Sequence, residues 1–213
     1  MDKRLGFSLI ELMVVMAIIA ALMTAGLRIF NGMNAGTVST SMTRVMNTIS
    51  SARELAVTEN CRTRFIIVTG SGGYNSPATW ALHRYGVLRV PQDYADTSGT
   101  APFQPASQGE DLADGVYFRP DRHETLNLAA SGTAAAIKSI FDPGNIDQGP
   151  LWGGQTAQYA YIEFQPSGQT TEPSSQNIFE IEPSPSAGIS TNSKNYVRFG
   201  VGQYTGRVRF QRP

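Results

Sequence analysis

Glu11 is the residue whose setting most demands a chemical explanation. It is the one charged residue between Phe7 and Leu27. A carboxylate in an apolar, membrane-length helix costs roughly 2.5 kcal/mol or more on insertion scales, so by default it marks a function with a partner. No Lys, Arg or His lies within that stretch to pair with it. A cut between Gly6 and Phe7 would supply the partner, because it creates a new α-amine at Phe7. Within one helix that amine lies about 6 Å of axial rise from Glu11. The amine of a neighbouring chain could reach it as well.

A second constellation closes the chain. Lys194, Arg198, Arg207, Arg209 and Arg212 occur from residue 194 onward with no Asp or Glu among them, and Tyr196, Phe199, Tyr204 and Phe210 are interleaved. Arginine beside aromatic rings suits phosphates and exposed bases, which makes Arg198, Arg207, Arg209 and Arg212 candidate DNA-binding residues. The plainer reading is a strand with arginines toward solvent and apolar residues inward. Arg207 and Arg209 share a face by period two under either reading.

No catalytic constellation is present, so the chain is read as a non-enzyme with no cofactor and no metal. His83 and His123 have no Cys or His partner at metal-ligand spacing and read as surface or packing residues. The stretch Gly70-Ser71-Gly72-Gly73 lacks the following lysine and helix of a phosphate loop and reads as a turn. Asp111, Asp114 and Asp121 fall in loops without the regular spacing of a calcium site. Cys61 is the sole cysteine, which excludes an internal disulfide and cysteine-pair zinc sites. The composition, 41% hydrophobic and 16% charged, excludes a disordered or collagen-like chain. The zero formal net charge points to no particular partner.

The elements that must position these groups divide the chain in four: a leader at 1–6, a transmembrane and assembly helix at 7–30, an amphipathic helix at 31–60, and a β-rich domain at 61–213. At about 1.5 Å per residue, Phe7 to Leu27 can cross a hydrocarbon core of roughly 30 Å. Lys3 and Arg4 are the flanking charges that the positive-inside rule keeps in the cytoplasm, leaving the rest of the chain on the far side. Beyond Arg28, Val38, Met42, Val45, Met46, Ile49, Ala52 and Ala56 recur at three- and four-residue steps and predict one apolar stripe, with Ser41 largely off it. Gly26, Gly32 and Gly36 weaken the helix. They mark either a place where it bends or a close approach of neighbouring helices. Asn60 is a reasonable stop.

Phe65-Ile66-Ile67-Val68, then Trp80-Ala81-Leu82 and Tyr85, predict a hairpin. Further strands are predicted around Val116-Tyr117-Phe118, Tyr159 to Phe164, Ile178 to Ile181, Tyr196 to Phe199 and Val208 to Phe210. Residues 91–111, 142–156 and 183–195 read as loops. The fold class is α+β: a long N-terminal helix packed on a C-terminal antiparallel β-sheet or β-sandwich-like domain.

The run Gly6-Phe7-Ser8-Leu9-Ile10-Glu11, with the apolar residues Leu12 to Ala20 after it, resembles the class III signal of type IV prepilins and type II secretion pseudopilins. The resemblance implies cleavage by a prepilin peptidase after Gly6 and N-methylation of Phe7. It also implies that Glu11 pairs with the terminal amine of a neighbouring subunit. Methylation keeps that amine charged, so the pair survives it.

Ser51 to Asn60, Gly115 to Phe118, Ile162 to Gly168 and Thr205 to Arg209 further resemble the minor pseudopilin H and minor type IV pilin branch, the GspH/FimT group. That implies a minor pilin or pseudopilin near a filament tip. Its partners would be other subunits and the assembly platform. The location implied is the bacterial inner membrane, single-pass, with the C-terminal domain in the periplasm. Some relatives are thought to bind DNA through a Gly-Arg-x-Arg stretch that Gly206, Arg207 and Arg209 match. The sequence does not decide between pilus and secretion pseudopilus.

Overall fold

A computed structural model describes residues 9–70, 78–91, 102–120, 140–141, 145–171, 177–184 and 195–212; the side chains of residues 11, 20–35 and 78 lie outside that description. The chain divides into two compact units, Met1–Gly36 and Thr37–Pro213. Helix α1 runs over Leu9–Thr58. In the first unit its described side chains are apolar and exposed on every side, from Leu9 and Ile10 through Leu12, Met13, Val14, Val15 and Met16 to Ile18 and Ile19.

In the second unit the helix is amphipathic. Val38, Val45, Ile49, Ala52 and Ala56 are fully buried, with Met42 and Met46 half-buried beside them. Ser41 and Thr48 are buried on the same stripe, a correction for Ser41, because each hydroxyl has a partner there. Ser41 Oγ accepts the Ala113 N–H at 3.1 Å. Thr48 Oγ1 bonds the Arg44 carbonyl at 3.0 Å and Glu110 Oε1 at 3.3 Å. The helix ends where Asn60 adopts φ +51° and the Cys61 N–H reaches back to the Ala56 carbonyl at 3.2 Å. Asn tolerates that left-handed geometry better than most residues, so the expected stop is where the backbone turns.

Among the described residues, ten strands follow in two antiparallel sheets. The first holds β1 (Thr63–Gly70), β2 (Arg84–Arg89), β3 (Gln104–Pro105), β4 (Glu110–Asp111), β6 (Ile146–Pro150) and β7 (Thr156–Phe164) in the order β3-β2-β1-β7-β6, with β4 also on β2. The second holds β5 (Val116–Arg119), β8 (Ile178–Pro183), β9 (Val197–Val201) and β10 (Val208–Gln211) in the order β10-β9-β8-β5. The hairpin partner of β1 is Arg84–Arg89, which includes the expected Tyr85 and begins two residues beyond Leu82, while Trp80 instead ends a short 3-10 turn at Ala78–Trp80. Strands β3, β4 and β6 occupy stretches read as loops. They are short or exposed and carry Pro105, Gly149 and Pro150, so periodicity gives them no apolar signal.

One core joins the helix stripe to both sheets. Phe65 and Ile67 of β1, Tyr85 of β2 and Ile162 and Phe164 of β7 meet Phe118, Phe179, Ile181, Val197 and Phe199 of the second sheet. Phe65 stacks on Phe179 across the sheets with ring centroids 5.8 Å apart, and Phe179 stacks on Phe199 at 4.8 Å. Such pairs add about 0.5–1.5 kcal/mol beyond the area they bury. Ile66 and Val68 point to the opposite face of β1, into a second cluster with Leu88, Phe103, Leu151 and Tyr159. Both faces of β1 are therefore covered, which is why its sequence is a continuous apolar run rather than an alternation.

The outward face of the second sheet is ionic yet buried. Arg119 Nη1 pairs with Glu182 Oε2 at 2.8 Å, and Arg198 Nε pairs with Glu180 Oε1 at 2.6 Å, all four residues being buried. Strand register places Glu180 opposite Arg198 on β9 and opposite Arg119 on β5, and Arg119 reaches diagonally to Glu182.

Candidate functional site

The candidate residues fall in two regions, one near each terminus. At the N-terminus, Gly6 and Phe7 lie outside the described residues, and Glu11 is described only as helical backbone. Leu9 and Met13 remain 76% and 64% exposed, on a helix with apolar residues all round. Such a surface requires lipid or other helices around it. Among the described residues no helix is long and apolar enough to cross a membrane. The span expected at 7–27 extends beyond the side chains described, which stop at Ile19 in this part of the chain.

At the C-terminus, a turn from Gly202 to Gly206 leads into β10. The Gly202 N–H donates to the Arg207 carbonyl at 3.0 Å, the Gly206 N–H donates to the Gly202 carbonyl at 2.7 Å, and Thr205 Oγ1 accepts the Arg207 N–H at 3.2 Å. Gly206 has φ +59°, and a Cβ there would stand 2.3 Å from the Gly168 carbonyl oxygen and 2.6 Å from Arg53 Cδ. Gly168 has φ +77° and accepts a hydrogen bond from Arg53 Nε at 3.3 Å. The Thr170 N–H completes the junction by donating to the Gln203 carbonyl at 2.9 Å. Three separate stretches that sequence analysis marked, around Arg53, Gly168 and Gly206, thus meet at one point. The glycine of the Gly-Arg-x-Arg stretch is fixed by the turn and by this close approach.

The four candidate arginines separate. Arg198 is buried and held by Glu180, so it belongs to the ionic layer of the sheet and is withdrawn from the exposed surface. Arg207, Arg209 and Arg212 are exposed. Arg209 stands opposite Gly200, whose missing side chain leaves it uncovered. Val208 packs partly against the core, whereas Phe210, opposite Phe199, is 50% exposed and Tyr204 is 78% exposed.

The remaining polar residues have structural partners. His83 Nδ1 lies 3.1 Å from the Val116 carbonyl and its ring packs on Tyr117, while His123 is outside the described residues. Arg64 is clamped by Glu163 at 2.8 Å and Asp147 at 2.6 Å, with its guanidinium between the Phe103 and Tyr161 rings. Burial lowers its basicity, but these carboxylates outweigh that and raise its pKa. Burial pushes the Cys61 thiol pKa up, Glu59 adds to this, and Arg89 opposes it. Asp111 lies 3.8 Å from Arg84. Among the described residues no three His, Cys, Asp or Glu are grouped to hold a metal ion.

Sequence reasoning missed one built feature. Trp152 lies across Gly86 and Gly109, where a Cβ would stand 2.4 Å and 2.7 Å from its indole, and its Nε1–H donates to the Ser107 carbonyl at 2.5 Å. Arg84 sits over Trp80 and Trp152 at 4.4 and 5.4 Å. Only the paired glycines opposite a tryptophan could have signalled this, and they lie far apart in sequence.

No curated protein matches the chain in sequence. Among solved structures, the minor pseudopilin EpsH from the Type 2 Secretion System of Vibrio cholerae is similar over 83% of this chain and 96% of its own, at 14% identity and a TM-score of 0.40. Residues 1–27 match the family model of the prokaryotic N-terminal methylation motif, and the chain therefore carries that motif at its N-terminus.

Proposed function

We propose that the chain is a minor pilin or pseudopilin: a non-catalytic subunit cut between Gly6 and Phe7, N-methylated at Phe7 and assembled into a pilus or secretion pseudopilus. The methylation motif over residues 1–27 carries this reading. An apolar-all-round helix followed by a helix packed on antiparallel sheets supports it. In this reading residues 7–27 hold the chain in the bacterial inner membrane and the sheets lie in the periplasm. A place near the filament tip belongs to the same proposal. Helix packing between subunits would drive assembly, with Glu11 offsetting its burial by pairing with a neighbour's Phe7 amine.

The test is intact mass and N-terminal sequencing of the protein from membranes with and without the prepilin peptidase. A chain starting at methylated Phe7 only when the peptidase is present supports the reading. A chain that keeps Met1 to Gly6 beside an active peptidase reduces it to an ordinary anchor.

Capture of DNA by a tip subunit is the second reading, favoured by the exposure of Arg207, Arg209 and Arg212 beside Tyr204 and Phe210. It no longer includes Arg198. Its test is a salt-dependent binding assay on the full-length protein, in which Arg207→Ala and Arg209→Ala should each reduce the salt slope by about one.

A further inference from the structure

We propose that the open edge of β10 receives an extended strand from another subunit, acidic on one face and apolar on the other. The identity of the partner as a subunit rests on the filament reading above. The edge itself rests on geometry.

Strand β10 is the terminal strand of its sheet among the described residues. The bond from the Gly202 N–H to the Arg207 carbonyl fixes which residues face β9. In an antiparallel ladder the bonded positions alternate, so residues 207, 209 and 211 bond inward. The N–H and C=O groups of Val208 and Phe210 then point away from β9. An edge of this kind is a template for another strand. The other sheet's edge strands are blunted: β3 is two residues long with Pro105, and β6 ends in Gly149-Pro150. Strand β10 contains neither proline nor glycine.

Side chains on β10 specify what can pair there. Arg209 lies on one face with Arg207 just before it, and Phe210 lies half-exposed on the other. From Tyr196 to Pro213 there is no Asp or Glu. Two copies of β10 pairing antiparallel would bring their arginines together, and like charges facing across strands are destabilising. An acidic strand gains where a second copy loses, so the arginines exclude self-association while admitting a different subunit. Nucleic acid would satisfy the arginines but leave the outward backbone groups and the Phe210 ring without partners. The edge therefore favours a strand over a phosphate backbone.

The experiment places a photoreactive benzoylphenylalanine at position 210 of the full-length chain in its native membrane and maps the cross-link by peptide mass spectrometry. The expected product joins residue 210 to an acidic, strand-forming segment of another pilin-like subunit. The Arg207→Glu/Arg209→Glu double variant should lower the yield about tenfold, corresponding to the loss of one or two charge-assisted contacts. Reversing the mapped acids to lysine should restore it. Phe210→Pro, assayed by co-purification, should also weaken the pairing, since it removes one outward N–H.

Cross-links to nucleic acid, to lipid or to a second copy overturn the proposal, as does a yield indifferent to charge reversal. Peptidase-dependent processing is read in the same sample. Intact processing with no subunit cross-link defeats the edge alone, whereas absent processing defeats the filament reading beneath it.

Discussion

Arg53 and Gly168 are 115 residues apart, yet the arginine Nε donates to the glycine carbonyl at 3.3 Å. Gly206 closes over the same pair, leaving no room for a side chain. This junction ties the distal part of the helix to the turn after β7 and to the turn before β10. It gives a structural reason for motifs that, read as a linear sequence, look like separate surface features.

Gly206→Ala should therefore lower the unfolding free energy by about 2–4 kcal/mol, combining a strained positive φ with a backbone clash at the Gly168 carbonyl. Gly36→Ala is the matched contrast. Gly36 is helical with nothing within 4 Å of an added Cβ, so the substitution should stabilise its helix by roughly 0.5–1 kcal/mol. Thermal unfolding of the full-length protein in micelles measures both. A harmless Gly206→Ala would mean that the junction gives way readily.

Arg198→Ala should destabilise the fold by about 3–5 kcal/mol, because it takes the Arg198 partner from a Glu180 that is only 3% exposed. Arg209→Ala, on an exposed edge, should stay within about 0.5 kcal/mol. Denaturant unfolding separates the two. A similar cost at both sites would show that burial does not distinguish them. If the contrast holds, lost binding in an Arg198 variant reports unfolding, whereas lost binding in an Arg209 variant reports the surface.

Much of this architecture is legible in the chain, and the limits have physical causes. Strands with buried faces announce themselves, as Tyr159 to Phe164 and Ile178 to Ile181 do, because alternation follows from the pleat. Strand β6 does not, since Ile146-Asp147-Gln148-Gly149-Pro150 is an exposed edge that buries almost nothing. The methylation motif over residues 1–27 needs no fold to be read, because its signal lies in contiguous residues. Partnership across strands is the opposite case. Nothing in the spacing of Glu180 and Arg198 says that register will bury them face to face, and so Arg198 reads as a surface cation until β8 and β9 are aligned.

Alkaline stability offers a test of the buried phenols. Burial, aided by Glu110, which accepts the Tyr85 hydroxyl at 3.2 Å, raises the Tyr85 pKa above its ordinary 10.0. Burial and the nearby Asp147 raise that of Tyr159, against an opposing pull from Arg64. In the unfolded chain both ionise near the ordinary value, so above it the native state holds protons the unfolded state has lost. Their contribution is intact below about pH 9 and declines as pH climbs past about 10, toward the raised native values. Unfolding free energies that stay flat through about pH 11 would contradict burial of these hydroxyls. Tyr85→Phe should shallow the decline while losing the Glu110 hydrogen bond.

In the proposed pilin reading, Glu11 separates insertion from assembly. Glu11→Ala removes a carboxylate that costs roughly 2.5 kcal/mol or more in an apolar helix, so insertion should be as good or better. Cleavage after Gly6 should proceed, because the site and its basic flank, Lys3 and Arg4, are unchanged. Incorporation into filaments should fail, because the Phe7 amine of an incoming or neighbouring subunit loses its counter-charge inside an apolar bundle. A buried charge left alone is costlier than none. Membrane fractionation, N-terminal mass and co-purification with other subunits read the three steps separately. Normal incorporation of a processed Glu11→Ala chain would show that the amine finds another partner. Loss of insertion would assign Glu11 to targeting instead of assembly.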